Sequence, residues 1–126
     1  MRGLCGFVIL FAGSVASAEP ALQNQAPTVW KALMEANCDL EVVRVWTPVE
    51  ARILRNTPYA MKGRVFKTEA LKTFFTSDGD WYLPAEGAGL TLSKAEVSCV
   101  KRLKAHENGL RKQLKLPKEL ERRMLR

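Results

Sequence analysis

Few residues in this 126-residue chain are able to do chemistry, and their spacing narrows what they could do. General acid–base and nucleophilic mechanisms draw on a histidine or on carboxylates held together. The single histidine, His106, stands among Lys101, Lys104 and Glu107 and reads as a solvated residue late in a helix. Zinc needs about four clustered nitrogen or sulfur ligands, and one histidine with the distant pair Cys38 and Cys99 supplies no such pattern. Asp78-Gly79-Asp80 has the start of a calcium loop without its later ligands, so it reads as a turn. No metal and no cofactor is expected. Arg55, Asn56, Tyr59, Lys62, Trp81 and Tyr82 form the candidate binding set, a polar and aromatic groove of the kind that holds a peptide or a glycan. The competing reading puts the aromatics in the core, with Arg55 and Asn56 fixing the backbone. A domain this small favours it, because it can barely spare large apolar groups. An enzyme, a small secreted hydrolase or a peptidase-associated domain, would require Arg55, Tyr59 and a carboxylate such as Glu50 to converge in a cleft.

The elements that must position these residues are mostly helical. Thr28 can cap a short helix to about Asn37, with Val29, Leu33 and Ala36 on one face. Leu40 to Trp46 is β-branched and short, which predicts a strand or extended segment. Thr47-Pro48-Val49-Glu50 combines a capping hydroxyl, proline at the first helical position and a carboxylate three residues past the cap. It predicts a helix towards Lys62, ended by Gly63 and kinked or broken near Thr57 by Pro58. A further helix is expected over roughly Thr68 to Phe75, an extended segment at Trp81 to Pro84, and a loop around Gly87 and Gly89. Ser93 and Glu96 form a second capping box, opening a helix to about Asn108 with Gly109 as its stop.

The N-terminus reads as an export signal. Arg2 supplies the positive end, Leu4 to Val15 is almost wholly apolar, and Ala16-Ser17-Ala18 is a small-residue cleavage site. About 12 apolar residues fall short of the roughly 20 a spanning helix needs, so residues 1–18 are expected to be removed and the protein not to span a membrane afterwards. Roughly 108 residues then remain, enough for one small domain. An exported chain meets an oxidising compartment, where Cys38 and Cys99 have one available pairing. A bridge would close a loop of about 60 residues and contribute about 4 kcal/mol by the chain-entropy estimate. The alternative is two buried free thiols.

Charge is segregated. Residues 19–100 carry nine Lys/Arg against ten Asp/Glu, whereas residues 101–126 carry ten against three. The basic end (Arg111, Lys112, Lys115, Lys118, Arg122 and Arg123 among others) is read in three ways. It is a solvated helical face, an anchor to anionic lipid or cell-wall polymer, or, least favoured, a nucleic-acid site, for which it lacks aromatic platforms.

The stretch LRNTPYAMKGRVFKTEALKTFFTSDGDWYLP, Leu54 to Pro84, is similar to the YARHG domain, a presumed extracellular bacterial domain. Leu54, Arg55 and Asn56 match its opening, Tyr59-Ala60-Met61-Lys62-Gly63 its five-residue motif, and Phe66, Leu71, Phe74 or Phe75, and Trp81-Tyr82 the positions that follow. Leu92, Ser93 and Glu96 resemble the next helix, so the likeness spans about residues 45–107. Met61 and Lys62 replace the motif's arginine and histidine, and Pro58 replaces an apolar residue, which removes any role for that imidazole. The resemblance implies an exported domain and no particular chemistry.

The sequence thus predicts a mainly α, small irregular helical domain with one or two short strands and a disulfide. Its parts are a leader at 1–18, a globular domain at 19–109 and a basic helical tail at 110–126. The expected role is a secreted or periplasmic, non-catalytic binding module. Its partner would be an anionic envelope component or an exported protein, not nucleic acid.

Overall fold

The computed structural model describes residues 24–114. Four helices are joined by irregular segments: α1 (Ala26–Glu35), α2 (Pro48–Met61), α3 (Glu69–Ser77) and α4 (Lys94–Leu114). The expected leader and the tail beyond Leu114 lie outside the described residues.

Helix α2 is the centre of the fold, with nine of its fourteen residues buried, and it packs against both α1 and α4. Thr47 accepts from the Glu50 amide at 3.1 Å, while Glu50 Oε1 accepts from the Thr47 and Trp46 amides at 3.0 Å each. The predicted capping box is therefore complete, and it satisfies donors that a helix start otherwise leaves orphaned. One side of α2 places Ala51 and Leu54 in a mostly aliphatic cluster with Val29, Trp30, Leu33, Val45 and Leu103. The other side places Ile53 and Ala60 in an aromatic cluster around Phe66, Leu71 and Phe75.

The cysteines pair: Cys38, just past α1, is bonded to Cys99 on α4, with a Cα–Cα distance of 5.6 Å. Both are buried within that first cluster, so the bridge ties α4 to the rest of the domain inside the core.

Several sequence expectations are corrected. No strand occurs among the described residues. Residues 40–44 wind into turns instead, because Asp39 Oδ1 accepts from the Glu41 and Val42 amides at 3.0 and 3.1 Å and Arg44 sits at φ 65°. A carboxylate offering the backbone a local partner outcompetes the weak preference of β-branched residues for strands. Helix α2 is unbroken at Pro58, which falls in its last turn, so the missing amide forfeits one bond near an end. Asn56 Nδ2 and Thr57 Oγ1 donate to the Arg52 and Ile53 carbonyls at 2.8 Å, reinforcing the turn before the proline. Helix α4 continues through Gly109 to Leu114. A glycine costs a helix interior about 1 kcal/mol without ending it, and the Glu107–Arg111 pair spans the position.

Helix α1 starts at Ala26 rather than after Thr28, and Gln25 at its cap makes no side-chain bond. Asp78 takes that place: its Oδ2 accepts from the Ala26 amide at 2.7 Å and from Trp81 Nε1 at 3.1 Å. A carboxylate at a helix N-terminus is also favoured by the helix dipole. The Asp78-Gly79-Asp80 turn is thus a clasp between α1 and the aromatic cluster.

Candidate functional site

The side chains that draw together sit where α2 faces the segment leading into α3. Arg52 and Arg55, three residues apart, share a face of α2. Opposite them run Arg64 to Thr68, and between the two lies an open cleft of about 360 Å³. Arg52, Arg55, Arg64 and Lys67 line it together with Asn56, and among the described residues no carboxylate does. Val65, Phe66 and Leu71 supply an apolar wall.

Two of these arginines are held from behind. Arg55 Nε donates to Glu107 Oε1 at 2.6 Å, and Glu107 is fully buried. Its second oxygen lies 2.7 Å from Arg111 Nη2, one helical turn along α4, as an ion pair without hydrogen-bond alignment. A buried carboxylate is costly unless paired, and here two guanidiniums pair it. Arg64 is fixed differently, with Cζ 5.5 Å from the ring centroids of both Tyr59 and Phe66, a cation–π arrangement. Its own carbonyl accepts from Tyr82 Oη at 2.6 Å, and the neighbouring Gly63 carbonyl from the Ala85 amide at 2.9 Å. Gly63 has φ 92°, and a Cβ there would come within 3.1 Å of the Leu83 carbonyl, so the close pass of these two segments needs glycine. Burial first, and then the Arg55 charge, lowers the pKa of Arg52 from its ordinary value; Glu107 opposes this and Arg111 adds to it. Several cations are therefore crowded around one buried anion.

The predicted site residues divide. Arg55 and Asn56 line the cleft, and Tyr59 supports it beneath Arg64. Trp81 and Tyr82 join the aromatic cluster, stacked edge-on or tilted about Phe75 at 5.7 and 5.8 Å between centroids. Such contacts are the usual packing of aromatic rings, and Tyr82 reaches the cleft only through the Arg64 backbone. Lys62 is exposed at the end of α2. Of the basic set, Arg111 is drawn onto Glu107, Lys112 is exposed on α4, and Lys115, Lys118, Arg122 and Arg123 lie outside the described residues. Glu50, Arg55 and Tyr59 do not converge, since Glu50 is engaged at the start of α2 and Arg55 at Glu107.

His106 corrects another expectation. Its Nε2 is 2.6 Å from the Val45 carbonyl, which can only accept, so that nitrogen carries the proton and the ring pins the end of the 40–44 turns to α4. Sequence reading passed over Arg52, Arg64, Lys67 and Glu107. The available signals were the three-residue spacing of Arg52 and Arg55 and the four-residue spacing of Glu107 and Arg111. Among the described residues no group of three or more metal-ligating side chains assembles. No helix there is long and apolar enough to cross a membrane.

Fold and site together define a small disulfide-stapled helical domain with a basic cleft backed by a buried carboxylate. The YARHG domain model matches residues 30–108, well over half of the chain. The protein belongs to the YARHG domain family, a family of small extracellular domains. No curated protein and no solved structure matches the chain.

Proposed function

We propose that this protein is an exported, non-catalytic binding module, secreted or periplasmic, that holds an anionic component of the bacterial cell envelope in the cleft between α2 and residues 64–68. The observation that supports this reading is the pairing of Arg55 with a buried Glu107 on one wall and the ring-supported Arg64 on the other. Guanidiniums restrained in place lose little further freedom when they meet an anion, and preorganisation of that kind raises affinity. The basic tail adds long-range attraction to the same class of partner, about 1 kcal/mol for each basic residue near an anionic surface.

Co-sedimentation with anionic and neutral vesicles and with cell-wall polymer tests this reading over a range of salt. Binding to the anionic partners should be strong at low salt and fall as salt screens it. Arg64→Glu with Lys67→Glu should remove most of it, leaving the weaker attraction of the tail. Replacing Lys115, Lys118, Arg122 and Arg123 by Gln should only weaken it and flatten its salt dependence. Equal binding to neutral and anionic partners would refute the proposal.

A further inference from the structure

We infer that the anionic partner of the cleft is an acidic protein segment, which lies extended along residues 65–67, pairs with their main chain and sets its carboxylates against Arg55, Arg64 and Lys67. This rests on the anion-binding reading above and narrows it to one class of partner.

The backbone points to a peptide. Residues 64–67 form neither helix nor turn, and their side chains alternate. Phe66 is 5% exposed, between Val65 at 40% and the exposed Lys67. Arg64 lies over the Phe66 ring two residues on, its Cζ 5.5 Å from the centroid. A period of two marks an extended chain, with Arg64 and Phe66 on one face and Val65 and Lys67 on the other. In such a chain the N–H and C=O groups of successive residues also turn to opposite edges. The domain itself engages the edge of Arg64, whose amide donates to the Tyr59 carbonyl at 3.1 Å and whose carbonyl accepts from Tyr82 Oη. The main-chain groups of Val65 and Lys67, on the opposite edge, make no hydrogen bond among the described residues. An unpaired extended edge is a template to which an incoming peptide adds as a strand, main-chain bonds supplying affinity and alternate side chains specificity.

Charge then selects which peptide. Arg64 and Lys67 stand on the two faces of this segment, both exposed, and among the described residues neither forms a salt bridge. Arg55 adds a cation from α2, held at its Nε by Glu107 and with 22% of its side chain exposed. Successive residues of an added strand point to opposite faces. Two adjacent acidic residues therefore meet Lys67 on one face and Arg64 on the other, with Arg55 across the cleft, and an apolar residue of the peptide covers Val65. A lipid headgroup or a glycan polymer shares the charge but has no main chain to fill the edge.

The test is titration of the purified protein, at fixed ionic strength, with a capped hexapeptide of valines and threonines around two adjacent glutamates. One control replaces the glutamates by glutamines, and two others carry N-methyl groups on one or the other set of alternate amides. Phosphatidylglycerol vesicles and cell-wall polymer form a parallel arm. The glutamate peptide should bind at least about tenfold more tightly than the glutamine peptide, the scale of one charge-assisted pair. One of the two N-methylated peptides, blocked on its pairing edge, should bind several-fold more weakly than the parent. Arg64→Gln and Lys67→Gln should each weaken binding several-fold. Val65→Pro deletes a donor from the free edge without breaking a bond of the domain, and should weaken it likewise, whereas Val65→Thr should not. If Val65→Pro fails to fold, hydrogen exchange in the unaltered protein reads the same contact: the Val65 or Lys67 amide should exchange at least about tenfold more slowly with the glutamate peptide bound. Unchanged exchange at both amides, or full binding by both N-methylated peptides, overturns the main-chain pairing. Equal affinity for the glutamate and glutamine peptides overturns the acidic assignment. Binding to vesicles or polymer without binding to the peptide overturns this inference and leaves the anion reading intact. No binding to any anionic partner overturns both.

Discussion

Two carboxylates, Glu50 and Glu107, are equally inaccessible to solvent, both at 0% exposure, and yet they belong to different kinds of site. Glu50 lies at the start of α2 and its Oε1 accepts from two backbone amides, with Oε2 left without a hydrogen-bond partner among the described residues. Its partners are fixed parts of the chain, so its work is finished once the helix has formed. Glu107 lies late in α4 and is paired with side chains, one of which, Arg55, opens onto a cleft. Burial of a charge therefore does not by itself mark function. What distinguishes the two regions is whether the partner of the buried group still faces outward.

Breaking the covalent tie between the regions should have the largest effect. Cys38→Ala with Cys99→Ala removes the bridge that holds α4, and with it Glu107, against the domain. Chemical denaturation should show a loss of about 4 kcal/mol for a loop of this length. Next, Glu107→Leu should destabilise by about 3 kcal/mol, at the low end of what breaking a buried pair costs because Arg55 and Arg111 each keep 22% side-chain exposure and can rehydrate. Anion binding should fall with it. Glu50→Ala should cost about 1 kcal/mol or slightly more, the scale of a lost helix cap whose Trp46 and Thr47 amides are only partly buried, while binding by the folded protein stays unchanged. If Glu50→Ala impaired binding as much as Glu107→Leu at equal folded fraction, the contrast between the regions would collapse.

The same contrast explains what the sequence could disclose. Glu50 was legible because a capping box is local: Thr47, Pro48 and Glu50 carry the whole signal within four residues. Cys38 and Cys99 were legible for a different reason, since a pair of cysteines has one pairing to choose. Trp81 and Tyr82, read as either groove or core, pack half-buried against the aromatic cluster, and the family was readable from separated positions in order. Glu107 was hidden in a helix dense with charge, because its burial depends on α4 lying against α2, a long-range fact without a local mark. Residues 40–46 misled for a related reason. Their β-branched pattern is real, but Asp39, the adjoining disulfide and His106 gripping Val45 impose turns on it. Asp78 looked like an ordinary turn residue, and only the return of α1 to the aromatic cluster made it a cap. Pro58 was read as a kink or a break and Gly109 as a stop, yet helix continues through both positions, each a cost that surrounding contacts outweigh.

The smallest effect makes the sharpest comparison. Thr47→Ala removes one half of the capping box, the Oγ1 that accepts from the Glu50 amide, and should cost about 1 kcal/mol. Because Thr47 and Glu50 bond each other's backbone, combining Thr47→Ala with Glu50→Ala should cost less or more than the sum by at least about 0.5 kcal/mol, the mark of groups sharing one network. Combining Thr47→Ala with Glu107→Leu should instead be additive to within about 0.5 kcal/mol, since the two share no partner. Denaturation midpoints of the single and double variants measure both cycles. Coupling across the second pair would mean that the cap at one end of α2 helps to set Arg55 further along it, so that the structural carboxylate and the cleft carboxylate would form one system rather than two.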